Sequence, residues 1–385
     1  MAVLPALAPG GAEVQLAHLL HGLPRDEFEC ELVTIMTAPL DPDLERRLNL
    51  RELAVHDLAV GPVASGEQGV GHAVRNLWRA RPQLTAHIRA FGPDIVYTRL
   101  WYAGLVVASL RRKGHFVHVA NEENALDNLD DRGRAKQLLR RFVIGQADAW
   151  VAPTQGLFDE FVRGGARAGR GAVIYNSTPI PPLSNSRTSS LTPQFAAMGR
   201  LVPNKGFDRL LRIAHLARQS GAAFRVNVAG EGPERGRLEA LARELGVEDT
   251  VQFVGYVPDP YAFLARHDAF LLTSRAEGFA NVLVEAMACR LPVVAMDIRY
   301  GPNEIVVPGE TGFLVADEAL TDFASRLREL ASNPALRERL GAAGRARAET
   351  VFSTEQMTAQ FRELFVRAAG RQQPRKGRAH VQHSC

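Results

Sequence analysis

Two glutamates, Glu277 and Glu285, lie eight positions apart and flank the turn Gly278-Phe279, which leads into a predicted helix from Asn281 to Cys289. A helix start exposes unpaired backbone N–H groups and the positive end of the helix dipole, and both attract an anion. The two carboxylates could accept hydrogen bonds from hydroxyl groups around that anion. A phosphate surrounded by hydroxyls describes a nucleotide sugar, although two solvated glutamates beside a surface helix would also explain this spacing taken alone.

A second segment places two cations, Arg200 and Lys205, in one loop between a predicted strand and a predicted helix. The Arg200 guanidinium can bind phosphate oxygens in a bidentate fork, and the Lys205 ammonium adds a compact charge. Ordinary solvated surface cations are the alternative interpretation. Together with the glutamate segment, this loop indicates a phosphate site.

Glycine-rich turns follow two further predicted strands. Gly11 precedes the first predicted helix, where a residue without a side chain lets an anion approach the backbone; an ordinary turn is the alternative. Gly230 and Gly232 resemble the start of a dinucleotide fingerprint, but the third glycine, Gly236, comes one position late. Pro233 suits a helix start. We therefore expect a phosphate or base contact near Gly230 rather than dinucleotide binding.

Metal ligands are sparse in this sequence. Asp41-Pro42-Asp43 could hold a divalent ion, but aspartates that open a helix more often cap it. Three cysteines are too few and too scattered for a zinc site or a disulfide framework. We expect neither a metal nor a cofactor, with any nucleotide sugar acting as a substrate.

Composition indicates a globular enzyme. The 385 residues are 46% hydrophobic and 23% charged, with a formal net charge of +4. No apolar run reaches the ~18–20 residues of a membrane span, and the first ten residues lack a signal-peptide pattern, although the true start codon could lie upstream. We expect a cytoplasmic protein without a nucleic-acid partner.

Basic residues are unevenly distributed, and solvated helix faces explain most such runs. The functional alternative is a patch that contacts an anionic membrane surface or a phosphorylated acceptor, which would bring the first domain to a membrane. The runs are Arg111-Arg112-Lys113, Arg132-Gly133-Arg134-Ala135-Lys136, Arg140-Arg141 and 371–376.

Short apolar strands alternate with helical segments along most of the chain, which predicts an α/β fold with two Rossmann-like, doubly wound parallel sheets facing across a cleft. We expect an N-terminal Rossmann-like domain over 1–178, a Pro- and Ser-rich hinge over 179–192 and a C-terminal Rossmann-like domain over 193–350. A C-terminal helix over 351–369 is expected to pack back towards the first domain. A disordered basic tail over 370–385 is expected to follow.

These motifs resemble the retaining, nucleotide-sugar-dependent glycosyltransferases of family 4, which have the GT-B fold. The resemblance covers residues 1 to 370 and is more specific in the second half, where the order and the spacing of the motifs agree. It rests on Gly10-Gly11-Ala12-Glu13, Gly199-Arg200-x4-Lys205-Gly206-Phe207, Gly230-Glu231-Gly232-Pro233, Phe253-Val254-Gly255-Tyr256, Glu277-Gly278-Phe279-x5-Glu285-Ala286 and Gly301-Pro302-x-Glu304-Ile305 followed by Gly309-x2-Gly312-Phe313-Leu314-Val315.

The resemblance implies that the domain over 1–178 binds the acceptor and that the domain over 193–350 binds the nucleotide sugar. It also implies a division of roles within the donor site. Arg200 and Lys205 would neutralise the donor diphosphate, Glu285 would accept hydrogen bonds from the ribose, and Glu277 would accept them from the transferred sugar. Other residues implied to contact the donor are the backbone at Asn281 and Val282, Gly278 and Phe279 of the turn, Gly11 across the cleft, and Gly230 with Val254 to Tyr256 near the base.

One departure from the family pattern lies in the first half. Many members carry a histidine after the strand that corresponds to 116–120, whereas this chain has Asn121 there and His118 within the strand, where a packed core role is expected. The cluster Asn121-Glu122-Glu123-Asn124 is similar to a variant in a branch that builds bacterial polysaccharides. On this resemblance, Asn121 and Glu122 are expected to contact the acceptor or the sugar.

The leading hypothesis is a retaining transferase of the hexosyl type that uses a UDP-sugar and a saccharide acceptor, free or lipid-linked, in bacterial cell-surface synthesis. A GT-B-like sugar-nucleotide epimerase, a non-catalytic nucleotide- or saccharide-binding protein and an NAD-dependent dehydrogenase are the alternatives.

Overall fold

In the computed structural model, the structure describes residues 1–7, 10–38, 42–61, 70–110, 115–124, 134–183 and 192–370. Most of the predicted hinge (184–191), the basic run at 111–113 and the tail beyond 370 lie outside this part of the chain.

The first half is built on a seven-stranded sheet in which every neighbouring pair of strands is parallel. Its strands are β1 (Ala2–Leu4), β2 (Glu31–Thr34), β3 (Ala54–Asp57), β4 (Ile95–Arg99), β5 (Val117–Asn121), β6 (Ala149–Ala152) and β7 (Gly171–Val173). Their spatial order is β3-β2-β1-β4-β5-β6-β7, so the direction of winding reverses between β1 and β4. Ligands of such sheets bind at the carboxyl ends of the two strands that flank this reversal.

Helices cover both faces of the first sheet. They are α1 (Gly11–Gly22), α2 (Pro42–Leu48), α3 (Val70–Phe91), α4 (Trp101–Ala108), α5 (Arg134–Gln146) and α6 (Gln155–Arg163). One apolar layer joins α1 to the sheet, and a layer on the other face joins α3 and α4 to it. This two-sided cover explains why the central strands are buried throughout.

The second half repeats the architecture with a six-stranded parallel sheet. Its strands are β8 (Gln194–Met198), β9 (Arg225–Ala229), β10 (Val251–Gly255), β11 (Ala269–Leu272), β12 (Val293–Asp297) and β13 (Gly312–Ala316). The order β10-β9-β8-β11-β12-β13 reverses between β8 and β11. The loops after β8 and β11 are therefore neighbours, and they carry Lys205 and Glu277.

The helices of the second half are α7 (Phe207–Gln219), α8 (Arg235–Glu244), α9 (Pro260–Leu264), α10 (Asn281–Ala288), α11 (Pro302–Ile305), α12 (Leu320–Ser332), α13 (Pro334–Val351) and α14 (Thr354–Gly370). The last of these, α14, returns to the first half. Its Phe361 and Phe365 rings lie 5.5 and 5.7 Å from the ring of Tyr97, and Arg362 forms an ion pair with Glu27.

The fold class predicted from the alternation of strands and helices is confirmed, with local differences. Not every strand is buried: β3 follows a 3-10 turn (Leu50–Glu52), and all four of its residues are exposed because β3 lies at the edge of the sheet. The short helices α9 and α11 were not predicted, since four or five residues are too few for a periodic signal.

Hydropathy along the helices bears on membrane insertion. Among the described residues, no helix is both long enough and apolar enough to cross a bilayer.

Candidate functional site

A cleft of about 970 Å³ lies between the two halves, at the carboxyl ends of both sheets. This volume is in the range of small-molecule sites. Of the residues singled out from the sequence, it is lined by Gly11, Arg200, Lys205, Gly230, Glu277, Gly278, Phe279, Asn281, Val282 and Glu285. The structure thus brings together residues that are up to 274 positions apart in the chain, from Gly11 to Glu285.

The charged centre of the cleft is an ion pair between Lys205 and Glu277. Lys205 Nζ donates to both carboxylate oxygens of Glu277, at 2.7 and 2.9 Å, and Ser274 Oγ donates to the same carboxylate at 2.6 Å. The Glu277 side chain is only 10% exposed, so its position is well defined by these donors. Arg200 lies nearby on an exposed loop and has no ionic partner among the residues that the structure describes.

The loops that carry the ion pair are tied together by Arg275. Its guanidinium donates to both Asp208 carboxylate oxygens at 2.7 Å, and its backbone N–H donates to the Asn204 carbonyl at 2.8 Å. Partial burial of Asp208 opposes its ionisation, but the hydrogen bonds from Arg275 outweigh that effect and lower the pKa of the carboxyl below its ordinary value of 3.8. These contacts fix the distance between the two loops.

The start of α10 faces the cleft. Ala280 precedes it in the left-handed conformation, with φ of 69°, which turns the chain sharply into the helix. Leu283 and Val284 are fully buried, whereas Asn281, Val282 and Glu285 remain partly exposed on the face that lines the cleft. Unpaired N–H groups and a carboxylate are therefore presented on the same side of one helix.

The structure places one predicted contact, Val254, outside the cleft lining. Val254 lies in β10, at the edge of the second sheet, and is 45% exposed. Since side chains alternate along a strand and Phe253 packs towards the core, Val254 points to the other side. Tyr256 and Val257, which follow the strand, line the cleft instead.

Two predicted acceptor contacts in the first half, Asn121 and Glu122, are also turned away from the cleft. Both are buried: Asn121 Nδ2 donates to Tyr97 Oη at 2.8 Å, and Glu122 accepts from Arg140 Nη2 at 2.9 Å. A buried cation on α5 therefore determines the direction of Glu122.

The next two residues of the same cluster line the cleft in their place, namely Glu123 and Asn124. His118 is fully buried and lies 2.9 Å from Thr98 Oγ1, which is the packed role expected from the sequence.

The two halves make direct contact on one side of the cleft. A Cβ atom added at Gly11 would lie 2.6 Å from Asn281 Nδ2, and one added at Gly278 would overlap the Glu123 carbonyl oxygen. Gly278 does not have a positive φ, so its lack of a side chain serves this close approach rather than backbone geometry.

A second contact between the halves involves Glu304 on α11. Its carboxylate accepts from the backbone N–H groups of Gln155 and Gly156, at 2.7 and 2.9 Å, and so caps the start of α6 in the other half. Tyr300 is 5% exposed and packs next to Gly156. We call this arrangement, in which a carboxylate from one half accepts hydrogen bonds from a helix start of the other, the closed form.

Metal ligands do not gather in the described part of the chain: it holds no group of three or more His, Cys, Asp or Glu residues placed to bind an ion. Of the Asp41-Pro42-Asp43 motif, Asp41 lies outside the described residues, and α2 starts at Pro42.

Sequence reasoning missed Arg99, Glu123 and Asn176. A signal existed for the first: Arg99 is a charged residue at the end of a buried strand, where ligand-binding edges lie in parallel sheets. Asn176 follows β7 with no distinguishing spacing, so only the structure brings it to the cleft.

Comparison with known proteins agrees with this geometry. The model described as "Glycosyl transferase 4-like domain" matches residues 10–177, and the one described as "Glycosyl transferases group 1" matches residues 186–347. The two matches fall on the two sheet domains in order. The chain belongs to the glycosyltransferases with the GT-B fold.

Individual relatives are similar over part of their length. Lipopolysaccharide core biosynthesis glycosyltransferase LpsD of Rhizobium meliloti is 33% identical over 204 residues, which cover 52% of this chain and 58% of that protein. D-inositol 3-phosphate glycosyltransferase of Rhodococcus opacus is 32% identical over 289 residues, which cover 68% of this chain and 64% of that protein. In both cases the match spans less than two thirds of the relative.

A solved structure of Anabaena HepE in complex with UDP-glucose superimposes with a TM-score of 0.77 at 21% identity, covering 95% of this chain and 100% of that one. At this identity the likeness concerns the fold, which is the same two-domain arrangement.

Proposed function

We propose that the protein is a retaining glycosyltransferase that moves a sugar from a UDP-sugar to a saccharide acceptor in bacterial cell-surface glycan synthesis. The observation that carries the proposal is the convergence of Arg200, Lys205, Glu277 and Glu285 around the start of α10 in one cleft. Cations beside a helix start suit a diphosphate, and carboxylates on either side suit hydroxyl groups. The similarity to LpsD and to the UDP-glucose complex of HepE supports the choice of acceptor class and base.

In this proposal, the donor diphosphate lies between the α10 start and the loop after β8. Backbone N–H groups at Asn281 and Val282 donate to phosphate oxygens, and Arg200 adds a bidentate contact from the exposed side. Lys205 has three N–H donors, so it can keep its contact with Glu277 and still donate to a phosphate oxygen. These charges and the helix dipole neutralise the diphosphate, and no metal is required.

Each of the two carboxylates binds one sugar ring of the donor. Glu285 faces the cleft one turn inside α10 and accepts from the ribose hydroxyls, with the base near Gly230 and Tyr256. Glu277 is held by Lys205 and Ser274 and accepts from hydroxyls of the transferred sugar. Neither glutamate acts as a general acid or base.

Transfer then proceeds on one face of the sugar. The bond from the anomeric carbon to the diphosphate oxygen breaks while an acceptor hydroxyl oxygen forms its bond to the same carbon from the same side. The hydroxyl proton passes to the leaving phosphate oxygen. Arg200 and Lys205 stabilise the charge that grows on the leaving group, and losing one such donor typically costs ~10²–10³ in rate.

We also propose that the acceptor is lipid-linked and that the first domain contacts an anionic membrane. Apolar side chains are exposed on two helices of the same sheet face: Trp78 on α3 is 66% exposed, and Leu138 and Phe142 on α5 are 65% and 47% exposed. The exposed Arg141 adds positive charge beside them. Aromatic and aliphatic groups next to cations are suited to a membrane interface.

The function is tested by incubating the protein with UDP-glucose, UDP-galactose and UDP-N-acetylglucosamine and lipid-linked saccharides, followed by mass spectrometry and NMR of the new linkage. A product with the anomeric configuration of its donor supports the proposal. An inverted linkage, or an epimerised free sugar formed without acceptor, contradicts it.

The membrane contact is tested by sedimentation with phosphatidylglycerol vesicles. Trp78→Ser combined with Leu138→Ser should reduce binding several-fold, whereas Val366→Ser, at a site 57% exposed on α14, should not. Equal loss in both variants, or no binding by the wild type, contradicts this part of the proposal.

A further inference from the structure

A buried arginine, Arg99, lies at the carboxyl end of β4, beside the point where the first sheet reverses direction. It is fully buried. Its guanidinium forms an ion pair with Glu123 and donates to Asn176 Oδ1 at 2.7 Å, and it also reaches Tyr97 Oη at 3.4 Å. One cation thus holds residues from three separate segments of the first half.

Two of these partners contact the second half at the same segment. Asn176 Nδ2 donates to Asn281 Oδ1 at 3.0 Å, and Asn281 is the first residue of α10. The backbone carbonyl of Glu123 lies against Gly278, three positions before α10 begins at Asn281. Both contacts therefore bear on the stretch 277–281, which carries the sugar-binding carboxylate and the phosphate-binding helix start of the proposed function.

We propose that Arg99 is a positioning residue that holds Asn176 and Glu123 in the geometry that seats the segment 277–281 when the cleft closes. It is buried behind the cleft and acts through these two neighbours, not by touching the substrate. The inference rests on the proposed function, because the segment that it positions is the donor-binding one.

The guanidinium is suited to this task by its shape. A planar fork can donate to the Glu123 carboxylate and the Asn176 amide at fixed angles, whereas a lysine ammonium would supply charge without that geometry. A buried ion pair is weak evidence of stabilisation, since apolar residues of similar volume often serve as well. Its placement between two interdomain contacts gives it a role that apolar packing could not fill.

The test is a set of double-mutant cycles on donor turnover with UDP-glucose, or whichever UDP-sugar the wild type uses. Asn176→Ala should lower kcat about fivefold, as expected for one lost neutral hydrogen bond, while the Kd for UDP stays within about twofold. Arg99→Lys should lower kcat at least as much and leave the protein folded, because the buried positive charge is kept. Two cycles combine Asn281→Ala with either Asn176→Ala or Arg99→Lys. In both, the double variant should lose less kcat than the product of the two single losses.

If Arg99 has only a structural role, Arg99→Lys should lower thermal stability, and its fold-loss in kcat should simply multiply with that of Asn281→Ala in the double variant. That result would overturn the inference. A parallel rise in the Kd for UDP and fall in kcat would also overturn it, since it would indicate a general loss of the site. If the wild type neither binds UDP nor turns over any UDP-sugar, the proposed function itself fails. Hydrogen exchange then decides on the positioning role alone: Asn176→Ala and Arg99→Lys should speed exchange at 278–284, and unchanged rates would refute it.

Discussion

Lys205 and Glu277 lie 72 positions apart in the chain and form an ion pair that joins the loops after β8 and β11, with Nζ to carboxylate oxygen distances of 2.7 and 2.9 Å. The reversal of strand order between β8 and β11 makes those loops neighbours. In the closed structure the pair keeps both side chains in place before a donor arrives. A phosphate group then shares a cation that is already positioned, which reduces the reorganisation that binding would otherwise require.

Removing either charge of this pair should affect catalysis more than folding. Lys205→Ala and Glu277→Gln should each lower kcat for UDP-sugar turnover by ~10²–10³. Arg212→Ala and Glu244→Gln are matched controls, since both side chains are exposed on helices of the same domain and lie outside the cleft lining. Turnover at the wild-type rate in the folded Lys205 or Glu277 variant would contradict the assignment.

Adding a methyl group at Gly278 should hold the cleft open. The new Cβ would overlap the Glu123 carbonyl oxygen, and a backbone atom cannot move aside as a flexible side chain can. We expect Gly278→Ala to increase the radius of gyration in small-angle scattering and to reduce turnover at least tenfold. Gly236→Ala, where nothing lies within 4 Å and the residue is within α8, should change neither quantity. A compact and fully active Gly278→Ala protein would show that closure does not depend on this contact.

The carboxylate of Glu304 should favour the closed form through its contacts with α6. Glu304→Ala leaves the N–H groups of Gln155 and Gly156 without this acceptor and removes a negative charge from a helix start. The variant should be more open in scattering and lower in kcat, with the UDP affinity of the second domain retained. Glu310→Ala, an exposed glutamate after α11, is the matched control. Equal effects in the two variants would argue against a role in closure.

The Asp208–Arg275 pair predicts a pH-dependent stability. Because the folded protein lowers the pKa of Asp208, the pair contributes stability above the ordinary value of 3.8 and loses it as pH falls through the lower folded pKa. Asp208→Asn should therefore reduce Tm at pH 7, and the difference from the wild type should shrink as pH falls below about 4. Thermal melts from pH 7 to pH 3 measure this. A difference in Tm that stays constant over the range would contradict the linkage.

The sequence predicted much of the second half because local signals there agree with tertiary structure. The succession of strand, turn and helix predicted that four residues lie at the carboxyl edge of the second sheet, and the structure brings all four to one cleft. They are Arg200, Lys205, Glu277 and Glu285. Sheet reversal was not visible from the chain alone, yet it is what makes the two loops adjacent.

The site residues of the first half were harder to predict, because the direction in which a side chain points decides whether it reaches the cleft. Asn121 and Glu122 lie at the carboxyl end of β5, but their hydrogen bonds to Tyr97 and Arg140 bury them, and Glu123 and Asn124 line the cleft instead. Such partners come from distant segments, so one-dimensional spacing cannot reveal them. Val254 lies outside the cleft lining for a similar reason, since the face to which a strand residue points depends on which of its neighbours packs inward.

Titration of UDP into the wild type, Lys205→Ala and Arg212→Ala tests the central claim most directly, since it measures donor recognition without needing the acceptor. The wild type and Arg212→Ala should bind UDP with the same Kd, and Lys205→Ala should bind about 10- to 100-fold more weakly, as expected for the loss of one charge-assisted hydrogen bond. UDP binding that is absent from the wild type, or equal in all three proteins, would contradict a donor diphosphate site at Lys205.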